Sequence, residues 1–452
     1  MRKYIFLAPY EYSIGNASEF VFNGALTARI KGKQLVLVVR RPSIIRKIFA
    51  PFICLKAITN KEIFNVCSDD PIIIPSNSLF PRILGTALDF NYLLIYFINK
   101  TFLRGINYIG RRIFKLRPYY FSYIPTLGHK VIFNPDKLHY FSWEKVFSYN
   151  WAQALNEDLY IRLEKKKERQ AEAILKQMGL GLGSWYVSLH VRELGFHKDK
   201  AYEGSFRCAD IDNYLKAIEY VVSVGGYVIR LGDSTMKPLP LLKNVIDYPH
   251  SLYKTDFMDL FLIKNCKLYI GMDSGIWDTA QMFQKNNLIV NSTNWCFAIP
   301  PKYGDLIIIK HYFSKSRARF LSVQELLEEP FEICFHFTEV PSDENNDFII
   351  IENTPEEIKD LLSEKLNQNK DYKYSELQKL FCEKRKVQLM RWMGEPFFKN
   401  DINQSYRAAI RYFYEGTVSE AFLKDNWEYR DHLKQMTENF LKNSNYTTTY
   451  VK

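Results

Sequence analysis

No stretch of this 452-residue chain approaches the ~18 to 20 consecutive apolar residues that a membrane-spanning helix needs. The run from Met1 to Pro9 is short and soon meets Glu11, so it reads as a first strand rather than as the core of a secretory leader. Cysteine is sparse and unpaired in pattern. The seven, at 54, 67, 208, 266, 296, 334 and 382, include no C-x-x-C and are odd in number. That excludes a disulfide framework and a zinc site, and predicts reduced core thiols in a cytoplasmic protein. No G-x-x-x-x-G-K-[ST] is present, so there is no P-loop, and neither an internal repeat nor a low-complexity segment occurs.

What is present is a globular composition, 47% hydrophobic and 15% aromatic. A chain of this length exceeds one core and predicts at least two domains. The net charge of +11 is unevenly spread. Residues 1–150 hold 21 Lys and Arg against 8 Asp and Glu, a surplus of +13, and residues 151–452 hold 40 against 42. One part of the chain therefore carries all the excess, which suits an acidic partner.

The N-terminal part reads as strand Tyr4 to Ala8, helix Ala17 to Ile30 and strand Gln34 to Val39, the crossover unit of a parallel sheet. From 80 to 125 aromatic and aliphatic residues mingle with Lys100, Arg104, Arg111, Arg112, Lys115 and Arg117, a mixture suited to an anionic membrane surface. A core helix with a solvated basic face is the plain alternative. Residues 151 to 180 read as a charged helix, and Gly181 and Gly183 mark a joint. Beyond it, strands at 185–191, 227–231, 245–247, 267–270 and 287–290 alternate with helices at 210–223 and 256–264 and one beginning near Ser274, the pattern of a parallel sheet covered on both faces. After 330 helices are expected at 355–366, 373–390 and 402–444, the first announced by Thr354, Pro355 and the acids that follow. The expected domains are 1–180, 181–345 and a helical 346–452.

Three strand ends carry the chemistry. The first, Trp185 to Arg192, ends in His190 and Arg192; the second ends in Arg230, Gly232 and Asp233; the third is Leu268 to Gly275. In an open α/β sheet such ends lie on one rim, where ligands bind. A planar guanidinium matches phosphate with paired donors. Ser274 and Gly275 open a helix, whose N-terminus favours an anion. Asp233, held by the Gly232 turn, offers an acceptor to a ribose hydroxyl or a base. Each feature alone has a bland reading, a strand-end histidine or a surface turn; the three together point to a diphosphate.

His-Val-Arg, Arg-Leu-Gly-Asp and Gly-Met-Asp-Ser-Gly, in that order, resemble the three peptide motifs of the fucosyltransferase superfamily. Ser13-Ile-Gly-Asn, followed by a helix and Gly32-Lys-Gln-Leu-Val-Leu, resembles that group's Gly-Asn loop. Val187 to Phe196, with Arg207, Tyr214, Gly225-Gly226, Met258-Asp259 and Ser274-Gly275, is similar to a bacterial family of glycosyltransferases of surface-polysaccharide clusters. The closer likeness covers 184 to 360.

The resemblance implies a GT-B architecture: two Rossmann-like α/β domains facing a cleft, with C-terminal helices. It implies a metal-independent, inverting transfer with no cofactor, and Asp210-Ile-Asp212 reads as a helix start rather than a metal motif. Arg192 would hold the donor diphosphate; Arg230, Gly232, Ser274 and Gly275 would line its site and Asp233 the nucleoside. Gly15 and Asn16 would face the cleft from the other domain. Glu193, where the fucosyltransferase pattern has a second Arg, counts against GDP-fucose. The acceptor's proton would go to Glu193, with His197, Asp199, Glu11 and Glu19 as alternatives, while His190 positions. The expected partners are a nucleotide-sugar donor, a glycan or polyprenyl-linked acceptor and the inner face of the cytoplasmic membrane, but no nucleic acid. A heptosyl- or Kdo-type transferase and a non-catalytic sugar-binding protein are the alternatives.

Overall fold

The computed structural model describes residues 4–7, 9, 13–39, 60–98, 105, 108–109, 112, 132–133, 159–181, 183–193, 205–293, 295–296, 298–328, 347–394 and 413–443. The chain divides into two compact units, one of residues 1–149 and 158–167, the other of residues 150–157 and 168–452. The region from 346 onward belongs to the second unit.

The first unit contains β1 (Tyr4–Leu7), α1 (Ile14–Ile30), β2 (Gln34–Leu37), β3 (Ile73–Ile74), α2 (Leu79–Phe97) and β4 (Ile132–Phe133). Its sheet has the order β3-β2-β1-β4, with β1, β2 and β3 parallel and β4 antiparallel to β1. The expected β-α-β crossover is present. Leu35, Val36 and Leu37 of β2 are fully buried, as a strand covered on both faces requires. Helix α1 starts at Ile14, three residues ahead of expectation, with Ser13 as its N-cap residue. Gly15 and Asn16 therefore lie in its first turn instead of in a loop, and Gly15 is buried. Gly24 lets α1 lie close to β1: a Cβ there would stand 2.6 Å from Leu7 Cδ2.

Helix α3 (Lys165–Gln177) leads into the second unit, which continues with β5 (Tyr186–Leu189), α4 (Leu215–Ser223), β6 (Tyr227–Arg230), β7 (Val245–Asp247), α5 (Asp256–Asn265), β8 (Leu268–Gly271), α6 (Gly275–Met282), β9 (Asn287–Ser292) and β10 (Leu306–Ile309). Then come β11 (His311–Ser314), β12 (Arg319–Phe320), α7 (Val323–Leu326), β13 (Phe348–Ile351), α8 (Pro355–Leu366), α9 (Glu376–Gly394), β14 (Thr417–Val418), α10 (Glu420–Asn426) and α11 (Asp431–Asn443). The large sheet has the order β14-β10-β9-β8-β5-β6-β7, and every pairing is parallel. Counted from β5, the chain winds outward through β6 and β7, returns across β5 to β8, and winds outward again. That is the doubly wound order, with its switch point between β5 and β8.

Two expectations about the C-terminal region are corrected. The chain after 330 is not all helical: β13 pairs antiparallel with β11 in a three-stranded sheet, β12-β11-β13. Leu433, Met436 and Phe440 of α11 pack on Phe313 and Phe320 of that sheet. The single helix read over 402–444 is interrupted by β14, and two helices follow it; residues 402–412 lie outside the described residues. Pairing with β10 outweighs helical periodicity here, since Thr417 N–H donates to Asp305 O (3.1 Å) and Ser419 N–H to Ile307 O (2.9 Å). Gly416 permits the approach: a Cβ would lie 2.6 Å from Pro300 O. Gly416→Ala is expected to cost about 1–3 kcal/mol by overpacking against backbone, read as a lowered Tm.

The capping box expected from Thr354 is formed. Glu357 N–H donates to Thr354 Oγ1 (3.2 Å), and Thr354 N–H donates to Glu357 Oε2 (2.8 Å). The same carboxylate meets His311 Nε2 at 2.9 Å and accepts from Asn426 Nδ2 at 3.2 Å. Burial pushes the Glu357 carboxyl up, but the His311 charge and the hydrogen bonds outweigh it and bring it down to about 2. A depressed carboxyl stabilises the fold above its unfolded value of 4.5, and that stability fades as pH falls toward 2. The loss is of the order of 3 kcal/mol. Glu357→Gln is expected to flatten the decline in urea stability between those pH values.

Candidate active site

The switch point brings together the ends of β5 and β8, and the residues that follow them are those the sequence singled out. His190 N–H continues the ladder to Ile270 O (2.9 Å) and Leu231 N–H donates to Leu189 O (2.7 Å), so the three strand ends are held level. His190 is 6% exposed, and its Nδ1 lies 3.2 Å from Ser274 Oγ. Burial, reinforced by the charges of Arg192 and Arg230, pushes its imidazole down to about 4. At neutral pH it is therefore uncharged, with its ring nitrogen against the Ser274 hydroxyl.

Ser274 is the N-cap of α6, but its side chain makes no capping hydrogen bond. Its hydroxyl turns to His190 instead, leaving the first turn of α6 receptive to an external acceptor. Gly275 is the first residue of that helix.

Arg192 is half-buried beside them, its N–H on Met272 Sδ at 3.4 Å. Burial and then the neighbouring Arg207 lower its guanidinium from the ordinary value, with Asp273 and Cys208 acting in the opposite direction. Two guanidiniums in mutual repulsion gain from an anion. Arg207 is not paired with Glu193: its Nε donates to Asp273 Oδ1 (3.4 Å) and its Nη2 to Asp273 O. Asp273 is 2% exposed, and its Oδ2 is a buried oxygen without a hydrogen-bond partner. Lys310, at the end of β10, is buried and donates to Cys208 O at 2.7 Å.

Glu193 and Arg230 stand differently from expectation. Arg230 is 0% exposed, its guanidinium taken up by Glu193 Oε1, Lys237 O and Asp247 Oδ1 (3.4 Å). Buried and held by these three partners, it ties the rim loops together. Glu193 accepts Arg230 through Oε1 and Lys237 N–H through Oε2 (2.7 Å). Both oxygens thus tie the loop after β5 to the loop after β6. Asp233 accepts Thr235 N–H (2.9 Å) and Oγ1–H (2.5 Å) on Oδ1, fixing the turn that Gly232 opens with a φ of 147°.

Gly15, Asn16 and the half-buried Glu19 are on α1 of the first unit. Glu11, His197 and Asp199 lie outside the described residues. Among the described residues no cluster of three or more His, Cys, Asp and Glu is placed to hold a metal ion, and the five described cysteines are free thiols. Sequence reasoning missed Lys310. Leu306 to Ile309 is an apolar run that ends in a cation, the same signal that marks the strand before His190.

These features define a doubly wound α/β protein whose sheet rim gathers cations and an open helix N-terminus at the switch point. No protein-family description and no curated protein matches the chain. Among solved structures it is similar to a glycosyl transferase family 9 protein from Veillonella parvula, with 11% identity over 68% of this chain and 85% of that one, TM-score 0.31. It is also similar to the E. coli ADP-heptose lps heptosyltransferase II, with 10% identity over 69% and 90%, TM-score 0.32. A third is the NodZ alpha-1,6-fucosyltransferase soaked with GDP-fucose, with 12% identity over 63% and 93%, TM-score 0.29. Overlaps this loose assign neither fold nor activity; the strand order and the rim geometry carry the reading.

Proposed function

We propose that the chain is a glycosyltransferase that moves a sugar from a nucleotide-sugar donor to a cell-surface polysaccharide or lipid-linked glycan, without a metal and with inversion, in a GT-B arrangement. The observation that supports this best is the pairing, at one switch point, of Arg192 with the uncapped N-terminus of α6. A diphosphate set between them would receive paired N–H donors from one side and helix N–H groups from the other.

In this reading the acceptor hydroxyl oxygen attacks the sugar's anomeric carbon as its proton passes to a carboxylate or imidazole base, and the bond from that carbon to the diphosphate oxygen breaks. Negative charge then builds on the departing diphosphate, where donors fixed in advance stabilise it without reorganising. Arg192 supplies the first of these, and Ser274 and Gly275 bring the helix terminus to bear. His190 holds the Ser274 side chain. Arg230 and Glu193 keep the two rim loops in register. The Asp233 turn is the part assigned to the nucleoside.

The test is a donor screen. The matching member of a set of GDP-, UDP-, ADP- and CMP-sugars is expected to raise Tm in proportion to the logarithm of its concentration over Kd. A co-crystal of that member would show its base beside Asp233. No shift with any of the four nucleotides would count against the reading.

A further inference from the structure

The second unit's rim accounts for the motifs, but not for the first unit's charge or for α2. That helix wears its apolar side outward. Leu79, Ile83, Phe90 and Leu94 are 75%, 61%, 50% and 49% exposed. Their spacings of four, seven and four residues put them on one stripe of an α-helix. Ala87 on the same side is exposed as well. Pro81, Gly85 and Asp89, at four-residue intervals on the opposite side, are buried. A helix that merely covers a core turns its apolar side chains inward, whereas these four point outward. Contiguous exposed apolar groups of this kind mark an interaction surface.

Charge indicates what covers it. From Phe90 to Pro135 the sequence has seven Lys and Arg and no Asp or Glu. Tyr108 and Ile109, within that stretch, are 59% and 49% exposed, and Arg112 is exposed beside them. Arg82 is exposed on α2 itself. Apolar groups that enter an acyl boundary, next to cations and without acids, complement an anionic lipid surface. A second copy of the chain would bring the same positive charge to the contact and be repelled. Among the described residues no helix is long and apolar enough to cross a membrane, so the contact would be one of lying on the surface.

We propose that the outward stripe of α2 seats this protein on an anionic bilayer, with Leu79, Ile83, Phe90 and Leu94 entering the headgroup boundary. The inference does not rest on the sugar-transfer reading, because it concerns the other unit and needs no donor.

The experiment is flotation of the full chain with vesicles of phosphatidylglycerol and phosphatidylethanolamine, against vesicles of phosphatidylcholine alone. Binding is expected to the anionic vesicles and to weaken in high salt. The triple variant Ile83→Ser, Phe90→Ser, Leu94→Ser is expected to lose about tenfold or more in bound fraction, since partitioning scales with buried apolar area. Its Tm should be unchanged because these side chains are exposed; if the triple variant does not fold, Ile83→Ser alone supplies the comparison, with a smaller loss. Equal binding by the folded variant and the wild type would overturn the proposal. So would an absence of vesicle binding, including the case in which light scattering finds a dimer that the variant turns into a monomer.

Discussion

Arg192→Ala is expected to lower kcat/KM for the matching nucleotide sugar by about 10²- to 10³-fold, the usual cost of removing one preorganised donor from a developing negative charge. Arg192 stands at the switch point, half-buried, with its guanidinium already disfavoured by burial and by Arg207. An incoming diphosphate relieves that repulsion, so removal of Arg192 loses an attraction that water does not replace. Arg192→Lys keeps the charge but loses the planar paired donors, and should recover only part of the activity. The loss should appear in kcat at least as much as in KM, because charge on the leaving oxygen grows toward the transition state. Unchanged turnover with every donor in a variant of unchanged Tm would remove the rim from consideration as the site.

Arg230→Ala is expected to act on the fold rather than on the chemistry, destabilising by about 3–5 kcal/mol in urea unfolding. Its guanidinium is fully buried, and the partners it would abandon, Glu193 and Asp247, are only 18% and 19% exposed. Taking away one member of such a group leaves uncompensated buried charge, which costs far more than the pair itself contributes. Arg230→Met, of similar volume, together with Glu193→Gln should recover part of that loss. A direct donor contact by Arg230 would give the opposite signature: stability near wild type and a large rise in KM.

The alternation of short apolar strands with amphipathic helices was legible because each strand of the parallel sheet is bounded by glycines or by a strand-end polar residue. Strands β5 to β9 lie within about two residues of their expected positions at either end. β10 and β14 were not legible. Leu306 to Ile309 is a four-residue apolar run that periodicity cannot tell from a helical segment, and Thr417–Val418 is a strand only because β10 offers it a free edge. The same reasoning applies to the rim. The three strand ends could be marked from residue type, yet residue type alone left Glu193 as a free carboxylate for the acceptor's proton. Arg230 and Lys237, 37 and 44 residues away, hold it instead.

Composition, charge distribution and strand-ending motifs by themselves determined an α/β chain with a basic N-terminal part and an anion-receptive sheet rim. Those properties are local: they follow from residue type, from periods of two and 3.6, and from the conformations that Gly and Pro allow or forbid. Only the tertiary structure decided which way each side chain faces. It turned Arg230 inward and left Arg192 half-open, though the one closes β6 and the other follows β5 by three residues. The difference is whether a carboxylate from a distant loop meets the guanidinium, and that depends on strand order and loop closure, which no window of sequence contains.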